Sequence, residues 1–190
     1  FGATRRVPMP VFRLLLSFCL LVSACLLQAQ PANDDCSEAV ELCARQPVAG
    51  NNTAAINTMP AYCQPGGMAL WYSFTTNSVG GTVDVSISGI NCPGVAGMDN
   101  ELSVVVLSGD GSCTPGSFAA ASTCLEDSDD FVMTTPALLP NTQYWVVVAG
   151  AANNGATIPA QCGFSVVTSG PGADIVNVDF DAGPDVTLGE

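Results

Sequence analysis

The chain has no histidine and no lysine, and its only cations are Arg5, Arg6, Arg13 and Arg45. Catalytic pairs that work through an imidazole, Ser-His-Asp or Cys-His, are therefore excluded, as is a histidine-ligated zinc or haem. Phosphoryl transfer loses the lysine that cradles a nucleotide's phosphates, which argues against a nucleotide partner. There is no C-x-x-C pair to begin a zinc thiolate site. No apolar run reaches the roughly 20 residues that a membrane-spanning helix requires. What the sequence does have is 48% hydrophobic residues, 19 Gly and 13 Pro in 190 positions, the composition of a folded, loop-rich protein. That length suits one domain of ordinary size with extra segments.

The first of those segments has the pattern of a secretory leader. Arg5, Arg6 and Arg13 precede the apolar run 14–27, broken by Ser17 and Ser23, and small Ala29 stands at its exit. Met9 is a natural start, which makes the preceding residues upstream read-through, and residues 1–29 are expected to be removed. Val22-Ser23-Ala24-Cys25 also fits the box after which lipoproteins are cleaved, and a lipidated Cys25 would tether the product to a membrane. Leu26 and Leu27 continue the apolar run past that cysteine, so cleavage after Ala29 is favoured. The mature chain then carries one cation, Arg45, against all 17 acids, a formal charge of −16. Such a surface repels nucleic acid and anionic lipid, which are bound by clusters of Lys and Arg. It suits divalent cations, whose binding relieves carboxylate repulsion.

Of nine cysteines, Cys19 and Cys25 leave with the leader, and seven remain. Export to an oxidising compartment makes disulfides their default state, with an odd one left over. Cys113 and Cys124 flank the turn-rich stretch 114–117 and are expected to pair. Cys36 and Cys43 lie in what reads as a short helix opened by a capping box, Asp35 with Glu38. Seven helical residues rise about 10.5 Å, too far for a bridge unless the helix ends early.

Beyond that helix the pattern is of strands. Leu70, Tyr72 and Phe74 share one face of segment 70–76, and Trp71, Ser73 and Thr75 the other. Segment 82–88 alternates strictly, with Val83, Val85 and Ile87 turned inward. Segments 102–107 and 144–149 are almost continuously apolar, as central strands covered on both faces would be. Further strands are expected at 164–168, 131–134 and 53–56, with Gly, Pro and Asn clusters as turns between them. The expected fold is all-β, a two-sheet β-sandwich of jelly-roll or immunoglobulin-like topology with one short N-terminal helix. It should occupy residues 31–169. A linker, 170–178, opens with Gly170-Pro171-Gly172, and an acidic, strand-like phrase fills 179–190.

Four sequence phrases carry a resemblance: Asn33-Asp34-Asp35-Cys36-Ser37-Glu38-Ala39, Leu70-Trp71-Tyr72-Ser73-Phe74, the Cys113 and Cys124 pair, and the stretch from Leu139 to Val148. Together they resemble the N-terminal β-sandwich of large secreted surface proteins from gliding-type bacteria, which usually end in a gliding-motility-associated or type IX secretion sorting domain. The phrase 181–188 resembles the first strand of a PKD-like immunoglobulin-type repeat. The sandwich is also similar to bacterial pre-peptidase C-terminal and CUB-like modules. The resemblance implies a non-catalytic extracellular module, for adhesion, for binding a glycan or protein ligand, or as a spacer.

Few residues carry chemistry of their own. Glu126, Asp127, Asp129 and Asp130 form an acidic loop, and Asp34, Asp35, Asp99 and Glu101 add carboxylates elsewhere. Calcium takes 6 to 8 oxygens and is served by such loops, although no EF-hand spacing is present. Asp34, Asp35, Asp99, Asp127, Asp129 and Asp130 are the candidate calcium ligands, and calcium is the one cofactor considered. Paired carboxylates also hydrolyse glycosides, but these lie in turns with no arginine beside them to grip a substrate, so no enzyme is expected. Trp71, Tyr72, Tyr144 and Trp145 are read as core rather than as a sugar-binding platform. The alternative function is a calcium-stabilised accessory domain of an exported hydrolase.

Overall fold

The computed structural model describes residues 30–56, 63, 68–153 and 155–174. The leader with its Cys25 box, residues 175–178 of the linker and the acidic phrase 179–190 lie outside the described residues. The protein is an all-β sandwich of two sheets. The larger runs β1 (Val40–Glu41), β3 (Ala69–Thr75), β9 (Gln143–Gly150), β5 (Leu102–Gly109) and β6 (Phe118–Ala120), with β7 (Leu125–Asp127) also paired to β5. The smaller runs β2 (Val48–Asn51), β10 (Gly163–Ser169), β4 (Asp84–Asn91) and β8 (Phe131–Thr134).

From β2 onward the chain changes sheet at every step except along β5, β6 and β7. The order β2-β10-β4-β8 facing β3-β9-β5-β6 is therefore that of a jelly roll, whereas an immunoglobulin-type sandwich keeps more sequential neighbours in one sheet. All strand pairings are antiparallel apart from β1, which joins β3 in parallel.

Side-chain alternation divides the apolar residues between two cores. Leu70, Tyr72 and Phe74 of β3, Val104 and Val106 of β5, and Tyr144, Val146 and Val148 of β9 face the smaller sheet. There they meet Val83, Val85, Ile87, Met133, Phe164 and Val166. The alternate residues of the same three strands, Trp71, Val105, Leu107, Trp145 and Val147, form a second cluster on the outer face. Phe118 of β6 joins the two indoles, its ring centroid 5.3 Å from Trp71 and 5.2 Å from Trp145, the latter edge-on. Offset and edge-to-face ring pairs of this kind contribute about 0.5–1.5 kcal/mol each beyond simple burial.

Three expectations are corrected. In place of the N-terminal helix stand two 3-10 turns, Ala32–Asp34 and Cys36–Glu38. Asp35 caps the second as its spacing implied, accepting from Ser37 N at 2.9 Å. Ala39 then turns extended, and Val40 pairs with Tyr72, so strand addition overrides the helical pattern. Segment 53–56 is a turn, with Ala54 at φ 63, and the strand lies just before it at Val48–Asn51.

The third correction concerns the cysteines. Cys113 pairs with Cys36 and Cys124 with Cys63, while Cys92 pairs with Cys162. Cys113 and Cys124 do not meet, because the stretch between them is not a closed turn. Part of it runs as β6 along β5, from Gly109 opposite Phe118 to Leu107 opposite Ala120, and Leu125 then faces Val104. Five residues of β5 separate the two ends, roughly 15 Å at strand rise, about twice the Cα separation a disulfide tolerates. Cys36 and Cys43 do not pair either, although the helix ends early, and Cys43 is free and exposed.

Candidate functional site

The six proposed calcium ligands are dispersed. Asp34 is buried in the N-terminal turn, where its carboxylate accepts from Ile56 N at 3.0 Å and from the Gln30 amide. Asp35 is the cap of the next turn. Asp127 holds its own loop through Ser128 N at 2.7 Å and Asp129 N at 3.1 Å, and Asp130 reaches Ile90 N at 3.4 Å. Asp129 is exposed. Asp99 is buried and accepts from the backbone of Asn100 at 2.7 Å, Glu101 at 3.1 Å and Asn153.

Asn153 bridges Asp99 to two other carboxylates, those of Glu101 and Glu126. Its side-chain amide donates to Glu101 at 3.1 Å and to Glu126 at 2.7 Å while its backbone serves Asp99. One asparagine thus supplies donors to three acids and staples loop 151–153 to Glu101, just before β5, and to Glu126 of β7. Among the described residues no group of three or more acids or cysteines is arranged to hold a metal ion. An open cavity of about 290 Å³ adjoins this staple, lined by residues including Asp99, Asn100 and Asn153.

All four candidate platform aromatics are buried, as the strand pattern implied. The Tyr72 hydroxyl is sealed between the sheets, where a Cβ on Gly50 would stand 2.3 Å from it and 2.6 Å from the Phe164 ring. It makes no hydrogen bond among the described residues. Burial pushes its pKa up to about 12. Asn33 tempers that rise but donates its amide to Trp71 O at 3.0 Å.

A second open cavity, of about 350 Å³, lies on the outer face of the larger sheet. Its floor is built from β3 and β9: Ser73, its cross-strand partner Trp145, and Gln143 two residues along. One wall is the Cys36–Glu38 turn with Ala39, the other the Gly111-Ser112-Cys113 loop, and the Cys36–Cys113 disulfide joins the two walls. Asp110 stands beside the second wall. Its carboxylate is held below the ordinary range by hydrogen bonds from Ser112, whose N–H donates at 2.9 Å, so it is engaged in shaping the loop.

Sequence reasoning put Ser73 on the outer face but gave it no role. The signal that finds it is a hydroxyl set among Trp71, Trp145 and Val147 on a covered face, where an apolar residue would be expected. Gln143 and the Gly111 loop carry no such signal, since both are exposed polar positions until the disulfide brings the walls together.

No protein-family model matches this chain, and no curated protein shows significant similarity to it. The three disulfides are those of a protein matured in an oxidising compartment. No helix among the described residues is long and apolar enough to cross a membrane.

Proposed function

We propose that this jelly roll is a non-catalytic extracellular binding module of a secreted, multidomain bacterial surface protein. The observation that carries the reading is the set of three disulfides closing sequence separations of 61 to 77 residues. Long-range bridges of this kind persist outside a reducing cytosol. The leader pattern and the resemblance to surface sandwiches of gliding-type bacteria add the route and the setting. The carboxylates that would have to act in hydrolysis or hold calcium are largely engaged with backbone amides or with Asn153, which favours a binding module over a calcium-stabilised hydrolase accessory domain.

Fractionation of the source organism with thiol labelling tests this. The expected result is a protein in the medium or on the cell surface, starting at Gln30, with Cys43 the reactive thiol and the six bridged cysteines protected. A cytosolic protein with all its thiols reduced would overturn the reading. Recovery of a diacylated Cys25 at the N-terminus would overturn the free secreted form.

A further inference from the structure

We propose that the cavity between the Cys36–Glu38 turn and the Gly111-Ser112-Cys113 loop is a binding site for one neutral sugar residue of a glycan. The inference rests on the reading of the chain as an extracellular binding module and names its site and ligand class.

Three features of the cavity lead there. The first is Ser73, only 6% exposed, whose side chain lines the floor. Its hydroxyl has no hydrogen-bond partner among the described residues, although its backbone carbonyl accepts from Leu42 N at 2.7 Å. The hydroxyl is not one of the sealed, unpartnered groups, which are Trp71 Nε1, Tyr72 Oη and Thr168 Oγ1, so it stays open to a hydrogen bond with a ligand. Gln143 and Trp145 also line the floor, and no hydrogen bond from either side chain is formed among the described residues. The floor therefore offers a hydroxyl, an amide and an indole N–H within one short stretch of two paired strands.

The second feature is charge. No ionisable side chain lines the cavity, whose walls present hydroxyls, glycine backbone and the disulfide. The Asp110 carboxylate beside the second wall is engaged by Ser112, so a cationic ligand would find no free carboxylate in the lining. An anionic one would approach a chain whose acids outnumber its cations 17 to 4. A neutral ligand rich in hydroxyls satisfies both conditions.

The third feature is size and rigidity. The volume lies at the lower end of the range for small-ligand sites, about 300–1,000 Å³. Its floor is central sheet and its walls are cross-linked to each other, so little ordering remains to oppose binding. Trp145 is 4% exposed and meets Phe118 edge-on, so its ring is not an open stacking platform. Recognition here is by hydrogen bonding from the floor.

Saturation-transfer NMR on the disulfide-bonded chain tests the site. The probes are methyl glycosides of glucose, galactose, mannose and N-acetylglucosamine, with methyl sialoside and an uncharged tripeptide amide as contrasts. At least one neutral glycoside is expected to show transfer, and neither contrast probe is. Ser73→Ala and Gln143→Ala should each weaken that binding by about three- to tenfold, the effect of one net hydrogen bond. Gln143 is exposed, so its variant keeps the test valid should Ser73→Ala disturb the sheet. Absence of transfer from every neutral glycoside, transfer unchanged in both variants, or stronger transfer to the tripeptide would overturn the proposal. None of those results touches the export and thiol measurements above. A cytosolic, reduced protein would remove the functional reading itself.

Discussion

The two sheets solve the problem of their outer faces in opposite ways. In the larger sheet β3, β5 and β9 are buried along almost their whole length on both sides, whereas in the smaller sheet β4, β8 and β10 have buried positions alternating with partly or fully exposed ones. The open face of the smaller sheet is mostly Ser, Thr and Asp, with Val132 and Val167 among them, and is left uncovered. The larger sheet carries Trp71, Trp145, Val105 and Val147 outward and must be covered. Among the described residues its cover is Cys36 and Ala39 of the N-terminal stretch, Phe118 of β6, Cys63 and Cys113. Two of the three disulfides, Cys36–Cys113 and Cys63–Cys124, fasten that cover. The proposed ligand cavity lies in the same place, because a surface assembled from loops has gaps that an alternating strand does not.

If the cover contributes a core of its own, removing its bridge must cost more than loop entropy. Cys36–Cys113 and Cys92–Cys162 close separations of 77 and 70 residues, so chain entropy assigns each about 4.5 kcal/mol. Replacing Cys36 and Cys113 by Ala should therefore cost more than the same change at Cys92 and Cys162. The excess reports water reaching Trp71 and Trp145. Urea unfolding followed by tryptophan fluorescence checks it, and equal losses would mean that the second cluster contributes nothing independent.

The same contrast explains what could be read from sequence. Regular strands announced themselves: strict alternation at 82–88 became β4, and the unbroken runs at 102–107 and 144–149 became the doubly covered β5 and β9. Even the two faces of β3 were assigned correctly, because a period of two fixes them once the strand is recognised. The cover was not legible. Its cysteines pair with residues 61 to 77 positions away, a choice made by the jelly-roll path and invisible to local spacing. Short β1, β2, β6 and β7 were missed because their residues are half-exposed and follow partners rather than a pattern of their own. The acids are read differently in sequence and in structure for a related reason. Composition counts carboxylates, while only the fold shows that Asp34 and Asp99 are engaged with backbone amides.

Where the sheets meet, Tyr72 offers a titratable probe of the inner core. Its folded pKa, about 12, lies above the ordinary value of 10, so the native state holds the proton more tightly than the unfolded chain does. The stabilisation is complete below pH 10 and is lost as pH rises through 12, on the order of a few kcal/mol. Denaturant midpoints should fall across that window. Tyr72→Phe, which removes a hydroxyl without a partner, should flatten the decline at no cost near neutrality. A decline of equal steepness in the variant would show that Tyr72 is not its source.

At the loop end the expectation concerns the acids. Asp99→Asn turns an acceptor of three backbone N–H groups into one with a donor facing them, and should cost about 1–3 kcal/mol. Asp129→Asn, on an exposed loop, should stay within about 0.5 kcal/mol. Both values should be the same in calcium and in chelator, since the Asn153 amide already donates to Glu101 and Glu126. A calcium-dependent rise in Tm that Asp99→Asn abolishes would reinstate a metal role.

The smallest effect is expected on the open side, where Arg45 holds Asp174 just after β10 has ended. The guanidinium donates through Nε to Asp174 at 3.0 Å and again through Nη2, while its own backbone N–H donates to Thr168 O at 2.8 Å. Asn77 fastens the same stretch by donating to Pro171 O at 2.7 Å and Asp174 O at 2.8 Å. The ion pair holds the Asp174 carboxyl below its ordinary range and raises the Arg45 pKa. Because the carboxyl pKa is lowered in the folded state, the pair's contribution is present at neutral pH and fades as pH falls through and below the usual carboxylate range. The Arg45 side chain is 73% exposed, so water and salt screen the pair, and Arg45→Ala should move Tm by no more than about 2 °C. The backbone links through Asn77 do not depend on that charge. Asn77→Ala should therefore free residues 170–174 to rapid amide exchange while Arg45→Ala leaves them protected. Exchange that accelerates equally in both variants would make the ion pair, not the asparagine, the fastening of this end.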